Sequence, residues 1–312
     1  MKVVYFGTGP FGLPALEALR LAGHGPAAVV TSPDKPSGRG LVPSASAVKR
    51  WAAPLGIPVF QWDRPGLAAS AATLSALQAD VFVVIAYGFL LPRVVHELPR
   101  WGSLNVHASL LPRWRGAAPI QWTLWSGDTE TGVTVIRLAD RLDAGDVLVS
   151  RTVPVGPEED ALTLESGLAA LGADALIEGL ERLERGKVSF RPQDERGVTV
   201  ARKITKEDGR IDWTESDRRV VARVRALRRW PVAWTQAGGA RLRVLAARIG
   251  SPRSAGPSAP GTVLAASPRE GLVVAAGEGA VELVRVQAEG RRDLEARDFV
   301  KGFPIAPGAV LE

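Results

Sequence analysis

Apolar and polar positions alternate along the first 190 residues of the chain in two rhythms. Residues 2–6, 27–31 and 58–60 are short β-type runs, and residues 80–86 are apolar at almost every position, as a central strand covered on both faces requires. Further strands are predicted over 102–107, 132–138 and 146–154. Between them, residues 14–22 (Leu16, Leu19 and Ala22 on one face), 46–55, 68–77, 92–98 and 162–185 carry helical spacing. A Pro/Gly-rich loop occupies 32–40. Strand alternating with helix predicts a largely parallel sheet covered on both sides. The rhythm changes after about residue 190. β-type residues and an Asp208-Gly209 turn fill 202–213, a helix is predicted over 217–229, and short β runs follow from Ala233 onward, at 242–246, 261–264, 271–275 and 281–287. Several short strands at this spacing predict a small barrel. The expected organisation is an α/β domain over 1–190, a linker over 191–205 and a β-barrel domain over 206–312.

The 312 residues are enough for two separate cores. No apolar run approaches the roughly 18 residues of a membrane span. The N-terminal run reads as a first buried strand and not as a signal peptide, and a cytoplasmic location is expected. The chain has no cysteine, which excludes disulfides, thiolate catalysis and cysteine-ligated zinc. Its three histidines, His24, His96 and His107, are far apart in sequence, so no metal site is expected. The charge is uneven. Residues 1–205 carry 21 basic and 20 acidic side chains, and residues 206–312 carry 18 and 13, so +5 of the net +6 falls in the last third. That asymmetry predicts an anionic partner. Arg218, Arg219, Arg223, Arg225, Arg228 and Arg229 share one predicted helix. Its apolar stripe of Val220, Val224 and Leu227 should turn most of these arginines outward, where they can meet phosphates.

Three segments carry candidate chemistry. Gly7-Thr8-Gly9-Pro10-Phe11-Gly12 matches G-x-G-x-x-G between a strand and a helix, the context of a dinucleotide-binding turn, with Asp34 as a ribose ligand. The same pattern also serves as a plain tight turn, and Asp34 lies beyond the strand end, inside the Pro/Gly loop. The second segment, residues 103–119, places Asn105 and His107 two apart on a strand, so both leave one face while Leu104 and Val106 leave the other. An amide and a protonated imidazole side by side can donate to one oxyanion, or each can make a structural hydrogen bond. In the third, Leu142-Asp143-Ala144-Gly145-Asp146, Gly145 permits a tight turn at a strand end. Asp143 there can reach His107 and favour its charged form, or simply stabilise the turn.

The second segment, Asn105-Val106-His107-Ala108-Ser109-Leu110-Leu111-Pro112-Arg113-Trp114-Arg115-Gly116, together with Leu142–Asp146, resembles the signatures of the folate-dependent formyltransferase family. The resemblance is strongest to the branch that acts on methionyl-tRNA. Residues 35–40 are similar to a basic loop insertion of that branch, and residues 203–213 to the start of its C-terminal domain. The resemblance implies a Rossmann-like formyltransferase domain followed by an oligonucleotide-binding-like barrel. It implies a catalytic trio of Asn105, His107 and Asp143, and a folate-binding stretch Ser109-Leu110-Leu111-Pro112. The run Tyr87-Gly88-Phe89-Leu90-Leu91 would form part of a pterin pocket wall. The implied cosubstrate is 10-formyltetrahydrofolate, without a metal. The implied partner is initiator methionyl-tRNA, met by Lys35 and Arg39 of the loop and by Arg218, Arg225 and Arg229 of the helix. Nothing demands a second chain, so a monomer is expected. The Gly7–Gly12 turn would then be structural.

Overall fold

The computed structural model describes residues 1–37, 42–186, 188–251, 258–303 and 305–312. Along the chain the elements are β1 (Val3–Gly7), α1 (Leu13–Leu21), β2 (Ala28–Thr31), β3 (Lys35–Ser37), β4 (Val42–Ser44), α2 (Ala47–Ala52), β5 (Val59–Gln61), α3 (Arg64–Ala69) and α4 (Ala71–Ala76). Then come β6 (Val81–Ile85), α5 (Arg93–His96), β7 (Ser103–His107), β8 (Arg115–Gly116), α6 (Pro119–Ser126), β9 (Glu130–Arg137), β10 (Val147–Pro154), α7 (Ala161–Glu184) and β11 (Val200–Ala201). The rest is α8 (Asp217–Ala226), β12 (Ala233–Ala237), β13 (Ala240–Ile249), β14 (Val263–Ser267), β15 (Gly271–Ala275), β16 (Ala280–Ala288), β17 (Leu294–Glu295) and α9 (Ala296–Gly302).

Two compact units share these elements. One comprises Met1–Pro119, Glu130–Pro154 and Glu165–Ala201, the other Ile120–Thr129, Val155–Leu164 and Arg202–Glu312. Residues 191–201 therefore pack with the first unit and 202–205 with the second. The stretch read as a linker carries structure of its own, because β11 pairs with β8.

The first unit is built on a seven-stranded sheet in the order β10-β9-β7-β6-β1-β2-β5. From β5 to β7 the strands are parallel, while β9 and β10 run antiparallel to their neighbours. The fully buried runs of β1, β2 and β6 explain their unbroken apolar sequences. The long helix α7 lies against the sheet face to which Val106 points. A Cβ added at Gly172 would come within 2.8 Å of the Val106 side chain. The connections from β1 lead to β2 on one side, and β6 returns on the other. The strand order thus switches between β1 and β6, and ligands of open α/β sheets bind outside the carboxyl ends of strands at such a point.

The glycine-rich turn after β1 is closed by Tyr5. Its hydroxyl lies where a Cβ on Gly12 would fall, 1.8 Å away, and its ring edge is 2.6 Å from a Cβ on Gly7. The glycines make room for a buried phenol. Asp34 accepts hydrogen bonds from Lys49 Nζ at 2.7 Å and Gln61 Nε2 at 2.8 Å, and the Lys49 ammonium holds its carboxyl below the usual range. Both observations favour the structural use of this turn.

Some local readings change. Residues 35–37, inside the segment read as a loop, form β3, which pairs with β4 just beyond it, Lys35 opposite Ser44. The predicted helix at 68–77 is two short helices meeting at Ser70. Helix α6 escaped prediction because its buried residues leave no polar stripe to set a period. The turn read at Asp208-Gly209 is a 3-10 turn over Glu207–Gly209, and Arg210 just after it makes a single bridge to Trp234.

The second unit is an antiparallel sheet, β12-β13-β16-β15-β14, with β17 beside β16. Its core gathers Trp213, Val220, Val224, Leu242, Val281 and Phe299. The last residues close it. Thr262, just before β14, bridges Val310, while Gln236 of β12 exchanges both backbone hydrogen bonds with Glu312 at 2.7 and 3.1 Å. The tail thus joins one edge of the sheet to the other, and closure removes the exposed strand edges.

Entry into this unit is fixed by Asp208. It accepts two hydrogen bonds from the Arg202 guanidinium, at 2.7 and 2.8 Å, and two from Thr205. The Arg202 contact, above all, depresses its carboxyl to about 2. A depressed carboxylate stabilises the fold above its unfolded value and loses that contribution as the pH falls through the folded value. Asp208→Asn is therefore expected to cost about 1–2 kcal/mol at neutral pH, measured by denaturant unfolding. The gap between variant and parent should close as the pH falls from about 4 toward about 2.

Candidate active site

Strand β7 ends at the carboxyl edge of the sheet with Asn105 and His107 on one face, and β9 lies beside it with His107 opposite Thr134 and Asn105 opposite Ile136. After β9 the chain turns through Leu142–Asp146. There Asp143 takes a left-handed backbone, φ 52°, which costs a non-glycine residue energy and needs outside support. Gly145 allows the turn. A Cβ at that position would lie 1.6 Å from the Arg137 carbonyl oxygen.

This turn delivers Asp143 to the β7 pair. Asn105 Nδ2 donates to Asp143 Oδ1 at 3.3 Å, and the Gly116 N–H donates to Oδ2 at 2.9 Å. His107 Nδ1 lies 3.6 Å from Oδ2, close enough for charge attraction but beyond hydrogen-bond distance. His107 Nε2 donates to the Trp114 carbonyl at 2.8 Å. His107 and Asp143 are buried, and Asn105 is half-buried. The three predicted groups therefore share one place. Two donors are left for an incoming oxygen: the second amide hydrogen of Asn105, and Nδ1–H of His107 when the ring carries both protons.

The segment after β7 is folded tightly around this centre. Ser109 is buried, and its hydroxyl donates to the Arg113 carbonyl at 2.6 Å. Thr134 Oγ1 donates to the Ser109 carbonyl at 2.7 Å and accepts from Leu111 N at 3.1 Å. Leu110, Leu111 and Pro112 are half-buried, and the Leu111–Pro112 peptide is cis. Trp114 N donates to Thr199 Oγ1 at 2.8 Å, so the carbonyl that holds His107 is itself anchored. Sequence reasoning missed Thr134, Gln193 and Thr199. None carries a motif of its own, and each matters only through the chain segment it ties down.

The run 87–91 follows β6 at the same edge of the sheet. Tyr87 is buried edge-on to Phe6 and Phe89, each 5.5 Å away between ring centres. Its hydroxyl has no hydrogen-bond partner among the described residues, and burial pushes the phenol up to about 12. Phe89 and Leu91 are half-buried, while Gly88 and Leu90 are exposed.

The predicted cationic residues are dispersed. Arg218 and Arg229 are exposed. Helix α8 ends at Ala226, so Arg228 and Arg229 lie beyond it. The expectation that most of the arginines on this helix face outward needs correction. Arg223 is buried, donates to the carbonyls of Asp208 and Arg210, pairs with Glu215 at 2.9 Å and stacks 4.8 Å from the Trp125 ring. Arg225 donates to the carbonyls of Glu159 at 2.6 Å and Gly156 at 2.7 Å, and burial lowers its pKa. Lys35 begins β3, and Arg39 falls outside the described residues, as does most of the 251–260 loop.

Residues 1–180 match the formyl transferase domain family, and residues 203–304 match the formyl transferase C-terminal domain family. The chain belongs to the formyl transferase family. Methionyl-tRNA formyltransferase of Solibacter usitatus is 44% identical over 97% of this chain and 96% of its own length. The protein of that name in Anaeromyxobacter dehalogenans is 45% identical over 97% of each. Among solved structures, HypX of Aquifex aeolicus in complex with tetrahydrofolic acid has a TM-score of 0.65 at 20% identity, covering 100% of this chain and 50% of that one. An N-formyltransferase of Helicobacter canadensis also gives 0.65, at 14% identity over 90% of this chain and 98% of that one. At such identities these two likenesses speak for the fold. No helix among the described residues is long and apolar enough to cross a membrane.

The fit of Gly145 against Arg137 yields a direct check. Gly145→Ala should force the 142–146 turn away from β9 and destabilise the protein by about 1–3 kcal/mol. Thermal unfolding compared with an Ala144→Gly control measures it.

Proposed function

We propose that this formyl transferase moves a formyl group from 10-formyltetrahydrofolate to the amino group of initiator methionyl-tRNA, giving formylmethionyl-tRNA. The observation that carries the reading is the meeting of an amide, an imidazole and a carboxylate within 3.6 Å at the end of β7. The full-length identity to proteins named methionyl-tRNA formyltransferase supplies the acceptor.

The folate contributes the activated formyl carbon. As the methionyl amine attacks that carbon, negative charge gathers on the formyl oxygen, and Asn105 Nδ2–H together with His107 Nδ1–H donates to it. Asp143 steadies the imidazolium and receives the proton released by the amine, directly or through a water. The new bond is amine nitrogen to formyl carbon. The bond broken is formyl carbon to the folate nitrogen, which leaves with the proton that Asp143 took from the amine, so that the carboxylate is restored. No enzyme nucleophile is used, in keeping with a chain that lacks cysteine, and the reading calls for no metal. Ser109–Pro112 and Tyr87–Leu91 bind the folate. The lone buried hydroxyl of Tyr87 and the apolar rings beside it suit a flat heterocycle with a polar edge.

The second unit and residues 35–40 bind the tRNA. Arg218 and Arg229 are exposed cations that we assign to phosphate contact, together with Lys35, which begins β3, and Arg39. Arg225 supports that surface through the 156–159 backbone. The enzyme acts as a cytoplasmic monomer on this reading.

Methionyl-tRNA, 10-formyltetrahydrofolate and the protein together should yield formylmethionine, while a sugar amine in place of the tRNA should yield no formylated product. In that assay His107→Ala should lower kcat by about a hundred- to a thousand-fold with an unchanged melting curve. Near-normal turnover by the folded variant rejects the assigned role. For tRNA binding, Arg218→Ala should make the slope of log affinity against log salt shallower by about 0.7–0.9, and an unaltered slope removes Arg218 from the interface.

A further inference from the structure

The backbone of Asp143 is strained, and something must hold it. The Gly116 N–H and the Asn105 amide grip the carboxylate. The backbone itself is gripped by a residue some fifty positions away. Gln193 Nε2 donates to the Asp143 carbonyl at 2.8 Å and to the Gly145 carbonyl at 2.7 Å. Its Oε1 accepts from Arg115 Nε at 3.0 Å and Nη2 at 2.8 Å. Every hydrogen-bonding position of this side-chain amide is therefore occupied. Its orientation is also fixed, since only the nitrogen can face two carbonyls and only the oxygen can face a guanidinium.

Arg115 is buried, and it pairs with Glu195 at 2.9 Å. The Arg115 guanidinium, and secondarily Arg141, holds the Glu195 carboxyl below its usual range. Arg115 sits next to Gly116, whose N–H holds the Asp143 carboxylate. The Arg115–Gln193 pair thus ties together the two loops that bear on Asp143, one following β7 and one following β9. A surface glutamine with only a packing role would not need two carbonyl acceptors on one catalytic turn.

We propose that Gln193 is a positioning residue for formyl transfer: it sets the backbone of the Asp143 turn, and hence the aim of the carboxylate at His107, with Arg115 fixing its amide. This rests on the catalytic reading of Asp143 given above. Gln193 touches no reacting group, so its contribution runs through Asp143. Loss of the clamp lets the carboxylate drift while its chemistry stays intact.

The test is a double-mutant cycle on formylation of methionyl-tRNA, with kcat and both KM values measured and thermal unfolding recorded for every variant. Gln193→Met keeps the side-chain length and removes the hydrogen bonds. It should lower kcat by about 10- to 100-fold, with each KM within about twofold of the parent. In an Asp143→Asn background the same change should cost about twofold or less, because the group it aims is already disabled. If Gln193→Met folds poorly, Gln193→Glu takes its place in the cycle, since it retains the pairing to Arg115 but presents no N–H to the two carbonyls. An equal fractional loss in both backgrounds, or an unchanged kcat in the folded single variant, overturns the positioning role. Normal turnover by Asp143→Asn alone overturns instead the catalytic reading on which it rests, so the two failures are separable.

Discussion

A carboxylate removed from water must have its oxygens hydrogen-bonded, or the cost of burying it exceeds what the fold can offset. Asp143 is such a group, and the architecture of the first unit can be read as the means of satisfying it. One oxygen takes the Asn105 amide, and the other takes a backbone N–H and faces an imidazole. These donors come from β7 and its following loop, while the carboxylate comes from the turn after β9. Their meeting therefore depends on the register between two antiparallel neighbours. A slip of one residue would turn Asn105 and His107 toward α7 and leave the charge without partners.

Much of this was visible in the amino-acid pattern. The two-residue spacing of Asn105 and His107 on a short strand fixes a shared face, and a glycine two positions after Asp143 marks a sharp turn at a strand end. Continuous apolar runs revealed the central strands, since burial on both faces leaves no polar positions. What the pattern could not reveal is long-range hydrogen bonding by residues of neutral type. Gln193 and Thr199 lie in a stretch that reads as connection, and what each ties down in the site is main chain, the Asp143 and Gly145 carbonyls and the Trp114 N–H, which leaves no trace in side-chain chemistry. The helix at 119–126 stayed hidden for a related reason. It is only eight residues long and buries a threonine, Thr123, beside Ile120, Leu124 and Trp125, so no clear amphipathic period emerged.

Counting charge along the sequence places the excess in the last third but does not say what individual arginines do. Arginine can satisfy several carbonyl oxygens at once and lie flat on an indole, so a run of them on a helix serves as internal fastening as readily as surface charge. Arg223 and Arg225 are used in that way. Arg218 and Arg229, by contrast, are exposed.

The chain contains only two tyrosines, and both are enclosed: Tyr5 fills the glycine turn after β1, and Tyr87 lies among aromatic rings. Burial raises both phenols above their ordinary value of 10.0. A phenol raised on folding lends stability at pH values below its unfolded value and withdraws it as alkalinity increases. Burial keeps both protons in place beyond the ordinary alkaline range, Tyr5 more strongly than Tyr87, so ultraviolet absorption by phenolate appears late and, for Tyr5, follows the opening of this unit in base.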